Sequence, residues 1–109
     1  MKELHRLTEL QIALLDTIWR RGEATVRQVF EAQEDTLGMA RKTVGTVLRR
    51  LERQGILEHR EERRQYIYRA RITRDDVRDA VLTAAADALF SGSREALAQY
   101  ALKLDRSED

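Results

Sequence analysis

The first third of the chain repeats apolar residues at helical spacing. Leu10, Leu14 and Ile18 share one face of a segment over residues 9–21, which is typical of a helix that packs on a core. A second, shorter helix is predicted over about 26–33. A polar passage over residues 33–38 follows it and predicts a loop.

A third helix is predicted over roughly residues 39–54. Its apolar residues recur at spacings of three and four, so one face is buried; they are Val44, Val47, Leu48 and Leu51. The opposite face is predicted to carry polar, basic and small residues: Arg41, Lys42, Thr43, Gly45, Thr46, Arg49, Arg50 and Arg53.

Three of the predicted helices begin with the same capping signature. Thr8, Thr25 and Thr73 each precede a Gln or Asp by three positions, which is the spacing of a capping box. Gly22 and Gly55 follow basic residues at the predicted helix ends, where a left-handed residue is favoured.

After Gly55 the spacing changes to the alternation of strands. Segments 56–61 and 66–71 predict two strands, and residues 62–65 between them predict the connector of a hairpin. Three short helices followed by a hairpin form the layout of a winged helix-turn-helix. The fold class predicted is therefore mainly α (α+β), with a winged helix over residues 1–72.

The remaining residues, 73–109, predict a helical dimerisation region. A helix over 74–90 is apolar on nearly all faces, so it must be buried on several sides. Ser93 is predicted to cap a last helix with its own apolar stripe. An intramolecular pair folding back on the first helix is the alternative to a two-fold dimer. The residues predicted to pair two copies are Val77, Val81, Ala84, Ala85, Ala88, Leu89, Phe90, Leu97, Tyr100, Ala101 and Leu104.

Charge is distributed unevenly along the 109 residues. The formal net charge is only +1, yet residues 41–71 carry 10 basic and 4 acidic side chains, a net charge of +6 between acidic flanks. Such a block is expected where a protein meets a polyanion, although a solvated charged face is the alternative. Its position on the predicted third helix and hairpin favours DNA.

The N-terminal half of the third helix is the part that reads bases in this class of motif. We therefore expect base contacts from Arg41, Lys42, Thr43 and Thr46, with capping by Thr43 and phosphate contacts by the basic pair as the alternatives. Gly45 would allow the helix backbone to approach DNA, or would pack against the second helix. The residues expected to contact the DNA backbone are Arg49, Arg50, Arg53, Arg63 and Arg64.

Three further ring side chains of the hairpin are assigned structural roles. Tyr66 and Tyr68 are expected to point to the core rather than to stack on bases, and His59 is expected to be structural rather than a ligand. The chain has no cysteine, and its two histidines are 54 positions apart, so neither a disulfide framework nor a metal centre is predicted. No cofactor and no catalytic constellation are expected.

The sequence resembles the BlaI/MecI/CopY family of penicillinase-type repressors from about Leu7 to Leu104. The stretches that carry the resemblance are residues 7–11, 18–19 and 22, Thr25-Val26-Arg27-Gln28-Val29, Lys42-Thr43-Val44, residues 46–51, Gly55-Ile56-Leu57 and Tyr66-Ile67-Tyr68. The resemblance implies a winged-helix repressor that dimerises through its last two helices on operators with dyad symmetry, with Thr43 and Thr46 in the positions of the family's recognition-helix threonines. It also implies relief of repression by a membrane sensor metalloprotease that triggers cleavage in the dimerisation region.

Two positions depart from that family. Its copper-responsive branch has a C-terminal Cys-x-Cys pattern, and this sequence has no cysteine, so metal sensing of that kind is not expected. Its antibiotic-responsive branch is cut at an Asn-Phe bond, where this sequence reads Leu89-Phe90.

The function predicted is that of a homodimeric, sequence-specific transcriptional repressor without enzymatic activity. No apolar run approaches the ~20 residues of a membrane span and no secretory signal opens the sequence, so a cytoplasmic protein is expected. The alternative function is a winged-helix interaction module that places its basic face on an acidic protein partner.

Overall fold

The computed structural model describes residues 3–107 and confirms the winged-helix class. Three helices and a small antiparallel sheet precede two further helices. The elements in chain order are a 3₁₀ turn (Leu4–Arg6), α1 (Glu9–Arg21), β1 (Ala24–Thr25), α2 (Val26–Leu37), α3 (Arg41–Arg53), β2 (Leu57–Glu62), β3 (Gln65–Ala70), α4 (Arg74–Leu89) and α5 (Arg94–Ser107). The predicted ranges 1–72 and 73–109 extend beyond the described residues by two positions at each end.

The capping signatures form as the sequence predicts. The hydroxyls of Thr8, Thr25 and Thr73 accept the backbone N–H three residues later, and the Gln or Asp side chain at that position accepts in return. Ser93 caps α5 by accepting the N–H of Ala96 at 3.0 Å. Each cap satisfies donors that a helix start otherwise leaves unpaired.

α2 is longer than the sequence pattern predicts. The passage predicted as a loop continues the helix to Leu37, and Gly38 ends it in the left-handed region at φ 65°. Its polar residues lie on the solvent side of the helix, except Gln33, which is buried and donates to the carbonyl oxygen of Met39 at 3.4 Å. A polar run on an exposed helix face has the composition of a loop, which explains the wrong prediction.

The sheet has three strands, one more than predicted. Its order is β1-β3-β2, all antiparallel, with Ala24 opposite Tyr68 and His59 opposite Tyr68 on the other side. β1 is two residues long and therefore shows no alternation in the sequence. It joins the hairpin to the segment that links α1 and α2.

The hairpin is confirmed, but its loop is tighter than the predicted connector over residues 62–65. Glu62 and Gln65 are paired in the ladder, so the loop consists of Arg63 and Arg64 alone. Their φ values are 51° and 65°, the left-handed pair of a type I′ turn. This conformation normally selects Asn and Gly, so two arginines occupy it at a conformational cost.

The core lies between the three helices and the sheet. Its side chains are at most 5% exposed. They are Leu14, Leu15, Ile18, Ala24, Val29, Val44, Leu48, Leu51, Ile56, Leu57, Tyr68, Ile72 and Val77. Tyr68 is a core residue as predicted, and burial raises the pKa of its phenol. The matching prediction for Tyr66 is wrong, because that ring is 41% exposed.

The two C-terminal helices extend from this core. We call the elements from the 3₁₀ turn to β3 the winged part, and the first turn of α4 packs on it through Val77. The rings of Phe90 and Tyr100 join α4 to α5 with their centroids 5.9 Å apart. No helix within residues 3–107 is long and apolar enough to cross a membrane.

Candidate nucleic-acid interface

α3 presents a polar, basic face to solvent. Arg41, Lys42, Thr43 and Thr46 are exposed in its N-terminal half, because Val44, Leu48 and Leu51 turn the opposite face into the core. The N-cap is Ala40, which makes no side-chain cap hydrogen bond. Thr43 is therefore not the capping residue of this helix, and its side chain faces outward.

The hydroxyl of Thr46 is held within the helix. It donates to the carbonyl oxygen of Lys42 at 3.1 Å and accepts from Arg49 at 3.5 Å. The first bond uses the hydroxyl proton, so the side chain offers the surface its methyl group and the remaining capacity of its oxygen. This arrangement suits contact with a thymine methyl better than donation to a base.

Gly45 does not belong to the exposed face to which the sequence pattern assigned it. The residue is buried, and a Cβ built on it would lie 3.7 Å from Cγ1 of Val26 on α2. These surroundings favour packing against the second helix over a close approach of the helix backbone to DNA. The spacing of apolar residues did not reveal this burial, because glycine adds no apolar side chain to either face.

Ion pairs neutralise only part of the basic block. Arg60 bonds both carboxylate oxygens of Glu23 at 2.6 and 3.0 Å, and Glu58 pairs with Arg69 and Arg71. Within residues 3–107, the other seven basic side chains of the block make no ion pair; they are Arg41, Lys42, Arg49, Arg50, Arg53, Arg63 and Arg64. These seven include every arginine and lysine predicted to contact DNA.

The Arg60–Glu23 pair ties the hairpin to the segment before β1. The hydrogen bond from Arg60 lowers the pKa of Glu23, and the carboxylate in turn raises the pKa of Arg60. The pair lies at the surface, so its contribution is to hold geometry more than to add stability.

A groove of about 240 Å³ separates α3 from the hairpin. Arg41 and Arg49 line it from α3, Arg64 and Tyr66 line it from the hairpin, and the first residues of α2 close its end. Four guanidinium groups line this groove, and among the described residues only that of Arg27 makes an ion pair, with Glu31 at 3.0 Å. The other three create a positive potential that favours a polyanion. The tertiary structure thus joins the two halves of the predicted basic unit.

Tyr66 is a candidate contact residue that the sequence pattern missed. Its ring stacks on His59 with centroids 3.9 Å apart and planes 12° apart. Nδ1 of His59 in turn lies 2.5 Å from Oε2 of Glu52 on α3. His59 therefore has the structural role predicted for it, and it fixes an exposed aromatic ring at the edge of the groove.

The residues predicted to pair two copies occupy different environments in the single chain. Val77 is 5% exposed and packs in the core, whereas Leu89 is 76% and Tyr100 50% exposed. Leu102, at 61% exposed, is a further apolar side chain on α5 that the predicted stripe omitted. Residues 3–107 contain no cluster of three or more side chains suited to hold a metal ion.

The sequence matches the model of the penicillinase repressor family over residues 7–108. The chain belongs to the penicillinase repressor family. It is 39% identical to the transcriptional regulator BlaI of Mycobacterium tuberculosis over 98 residues, which cover 88% of this chain and 71% of that protein. The family is one of transcriptional repressors, which is not a class of enzymes.

Two solved structures share the winged part. The DNA-binding domain of the repressor BlaI, solved in solution, superposes with a TM-score of 0.60 at 26% sequence identity. The match covers 70% of the present chain and 93% of the BlaI domain. The monomeric form of Bacillus licheniformis BlaI in complex with the blaP half-operator superposes with a TM-score of 0.58, at the same identity and coverage. Both matches confirm the winged-helix assignment.

Proposed function

We propose that this chain is a sequence-specific DNA-binding repressor that acts as a homodimer on an operator with dyad symmetry. The observation that carries the proposal is the set of seven basic side chains of α3 and the hairpin that make no ion pair within residues 3–107, three of which line the groove between these elements. The structure of Bacillus licheniformis BlaI with a half-operator supports DNA as the polyanion.

The exposed face of α3 divides into two roles along its length. Arg41, Lys42, Thr43 and Thr46 read base edges in the major groove, because they lie in the N-terminal half of a helix anchored on the core. Arg49, Arg50 and Arg53 follow on later turns and bind phosphates. These later contacts set the register of the helix on DNA without carrying sequence information.

The hairpin adds contacts beside the recognition helix. Arg63 and Arg64 form the tip of the type I′ turn and bind the DNA backbone. Because the turn is only two residues long, both guanidinium groups emerge from a defined backbone rather than from a loose loop. The conformational cost of two arginines in the left-handed region is balanced by their contacts with DNA.

Residues 73–109 pair two copies of the chain. The exposed apolar side chains that support this are Val81, Leu89, Tyr100 and Leu104, and Leu97 and Phe90 lie half-buried beside them. Val77 is excluded from the contact, since it is already buried in the chain. The winged-helix unit accordingly covers residues 1–72, and α4 begins at the cap Thr73 with its first turn packed on that unit.

Two-fold pairing places the two recognition helices on one side of the duplex. Half-sites one helical turn apart, ~34–36 Å, would then be read as an inverted repeat. Two weak half-site contacts gain strength from being linked, which makes the dimer the form that represses.

Relief of repression by a membrane sensor metalloprotease follows at the turn between α4 and α5. Leu89 is the last residue of α4 and is largely exposed, and Phe90 is the C-cap of that helix. Cleavage between them would separate α5, with its apolar side chains, from the rest of the chain. The bond lacks the Asn of the antibiotic-responsive branch, so relief at this position requires a protease that accepts Leu before the bond it cuts.

Selection of bound duplexes from a random DNA pool tests the proposal. The full chain should enrich an inverted repeat, and Thr46→Ala should relax the preference at one or two base pairs of each half. If no motif is enriched while the protein still binds DNA, sequence-specific repression is wrong. If it binds an acidic protein but not DNA, the basic face serves an interaction module.

The relief step is tested in cells that produce the tagged repressor. A blot after exposure to a penicillin should show a fragment that ends at residue 89. An intact repressor under conditions that induce its target genes would overturn proteolytic relief.

A further inference from the structure

The junction between the winged part and α4 contains side-chain contacts that bridge the two. Nε1 of Trp19 on α1 donates to the carbonyl oxygen of Ile72 at 3.0 Å. Nη1 of Arg74, in the first turn of α4, donates to Oδ1 of Asp16 on α1 at 2.5 Å. We call these four residues, Asp16, Trp19, Ile72 and Arg74, the α1–α4 joint.

The contacts of the joint act in different directions. The guanidinium carbon of Arg74 lies 5.0 Å from the centre of the Trp19 ring, while its Nη1 reaches the carboxylate of Asp16. A cation held over a ring face and bonded to a carboxylate is restrained in rotation as well as in distance. The other oxygen of Asp16 bonds Arg20 at 2.8 Å, which orients the carboxylate.

The joint is not needed to start α4. The capping box of Thr73 and Asp76 already begins that helix, and Val77 holds its first turn on the core. α4 also packs against the 3₁₀ turn (Leu4–Arg6), and the joint adds a second restraint, made by side chains, on the direction in which α4 leaves the winged part. A groove of about 510 Å³ beside it, lined by Ile12, Trp19 and Leu82 among others, leaves space into which α4 could otherwise turn.

The direction of α4 decides where the recognition helices lie in a dimer. α3 is anchored on the same core as α1, so fixing α4 on α1 fixes it relative to α3. When two copies pair through α4 and α5, any rotation at the joint shifts both the distance and the helical phase between the two recognition helices. A stiff connection concentrates binding on one separation, whereas a loose one spreads it over several.

We propose that the α1–α4 joint is a specificity determinant that selects the spacing between operator half-sites. Asp16, Trp19 and Arg74 are positioning residues, since none of them lies on the DNA-facing surface. This inference rests on the proposed function, because it requires a dimer that binds two half-sites.

The test measures binding to a series of duplexes that carry the selected half-site as an inverted repeat with varied spacing, up to about one helical turn of ~10 base pairs. The full chain is compared with Arg74→Gln and Trp19→Phe. Arg78→Gln is the matched control, because Arg78 lies one turn later on α4 and pairs with Asp75 of its own helix at 2.9 Å. Sedimentation and binding to a single half-site are measured for every protein.

The full chain and Arg78→Gln should prefer one spacing over a half-turn offset by about 100-fold, and the two joint variants by about 10-fold or less. Dimerisation and single half-site affinity should be unchanged in all four proteins. Equal spacing profiles in all of them, or a broad profile in the full chain, would overturn the inference. Loss of the dimer in the joint variants alone would overturn it too, because the joint would then act on pairing. A full chain that enriches no motif or stays monomeric contradicts the proposed function instead.

Discussion

The winged part of the chain and the two helices after it differ in how far their apolar side chains are buried. In the winged part, residues such as Leu14, Leu48 and Leu51 are fully enclosed within the single chain. Among the described residues, six of the seven large apolar side chains that remain exposed lie on α4 and α5; they are Val81, Leu82, Leu89, Tyr100, Leu102 and Leu104. The seventh, Tyr66, lies at the edge of the groove beside α3.

This difference separates a unit that completes its own core from one that needs a second surface. Full burial of a leucine side chain contributes about 1.5–3 kcal/mol, and these leucines, which are 48–76% exposed, forgo roughly half or more of it. Exposed apolar side chains that cluster on one region mark an interaction surface more often than a defect. The winged part instead exposes charge, which supports the proposed binding of a polyanion, whereas the exposed apolar side chains of the helices support the proposed pairing with a second copy.

The largest expected effect comes from a charge placed among the exposed apolar side chains of α4 and α5. Leu89→Glu places a charge on the most exposed apolar side chain and should convert the dimer to a monomer, because a charge buried between copies has no partner. Affinity for the full operator should fall about 100-fold as linked binding is lost. Sedimentation and gel-shift titration measure the two effects.

Gln99→Glu is the control for that substitution, since it adds the same charge at an exposed polar position of α5. It should leave both measurements unchanged. A Leu89→Glu protein that remains a dimer would show that the exposed apolar side chains serve something other than pairing.

The next effect concerns the tip of the β2–β3 hairpin, where Arg63 and Arg64 supply charge for DNA but occupy a backbone conformation that lowers stability. Replacing Arg63 and Arg64 by Asn and Gly suits the type I′ turn and should raise the free energy of unfolding by about 1 kcal/mol. Affinity for a single half-site should fall about 10-fold for all sequences alike, and the salt slope of that binding should drop by about 2 as two phosphate contacts disappear. Urea unfolding and titrations at several salt concentrations measure both.

The variant with Lys at both tip positions keeps the charges and the strain, so it should retain the salt slope. If the Asn-Gly variant binds DNA with an unchanged slope, the wing tip does not contact DNA.

A smaller effect tests the inner side of α3. Gly45→Ala should raise the free energy of unfolding by about 0.5–1 kcal/mol, because alanine favours the helix and its Cβ has room beside Val26. Operator affinity should stay the same. A loss of affinity without loss of stability would instead show that DNA approaches the helix backbone there.

The smallest effect concerns the ion pair between Arg60 of the hairpin and Glu23, which directly precedes β1. Arg60 lowers the pKa of Glu23 below its ordinary value of 4.5. The ionised carboxylate therefore contributes stability above pH 4.5, and this contribution is lost as the pH falls through the folded pKa. Glu23→Gln should change stability little at pH 7 and make its decline in acid shallower, as thermal unfolding across pH would record.

Glu34→Gln, at an exposed position of α2, is the control for acid unfolding. An equal change in both variants would show that the Glu23 effect reflects total charge rather than the bond to Arg60.

Local features of the fold were predictable because their causes lie within a few residues. The capping boxes at Thr8, Thr25 and Thr73 join positions three apart, and the buried face of α3 follows from spacings of three and four. Pairings between residues far apart in the chain could not be predicted in this way. β1 exists because Ala24 meets Tyr68 across 44 positions, which no short pattern records.

The candidate site divides in the same way. The residues of α3 that face outward were predictable from periodicity, apart from Gly45, which is buried. The free charges were not predictable, because Arg60 is neutralised by Glu23, 37 positions away, while Arg63 and Arg64 are not. Tyr66 was misplaced because alternation along a strand does not say how far the neighbouring helix covers it.

By itself, the sequence determined the helices, the basic block and the excess of apolar residues after residue 73, since composition, caps and periodicity act over one or two turns. Only the tertiary structure decided which arginines keep an unpaired charge, that Val77 is enclosed rather than free for pairing, and that Trp19 and Arg74 join α4 to α1. Those outcomes depend on which side chains the fold brings within a few ångströms, and the chain separates them by dozens of residues.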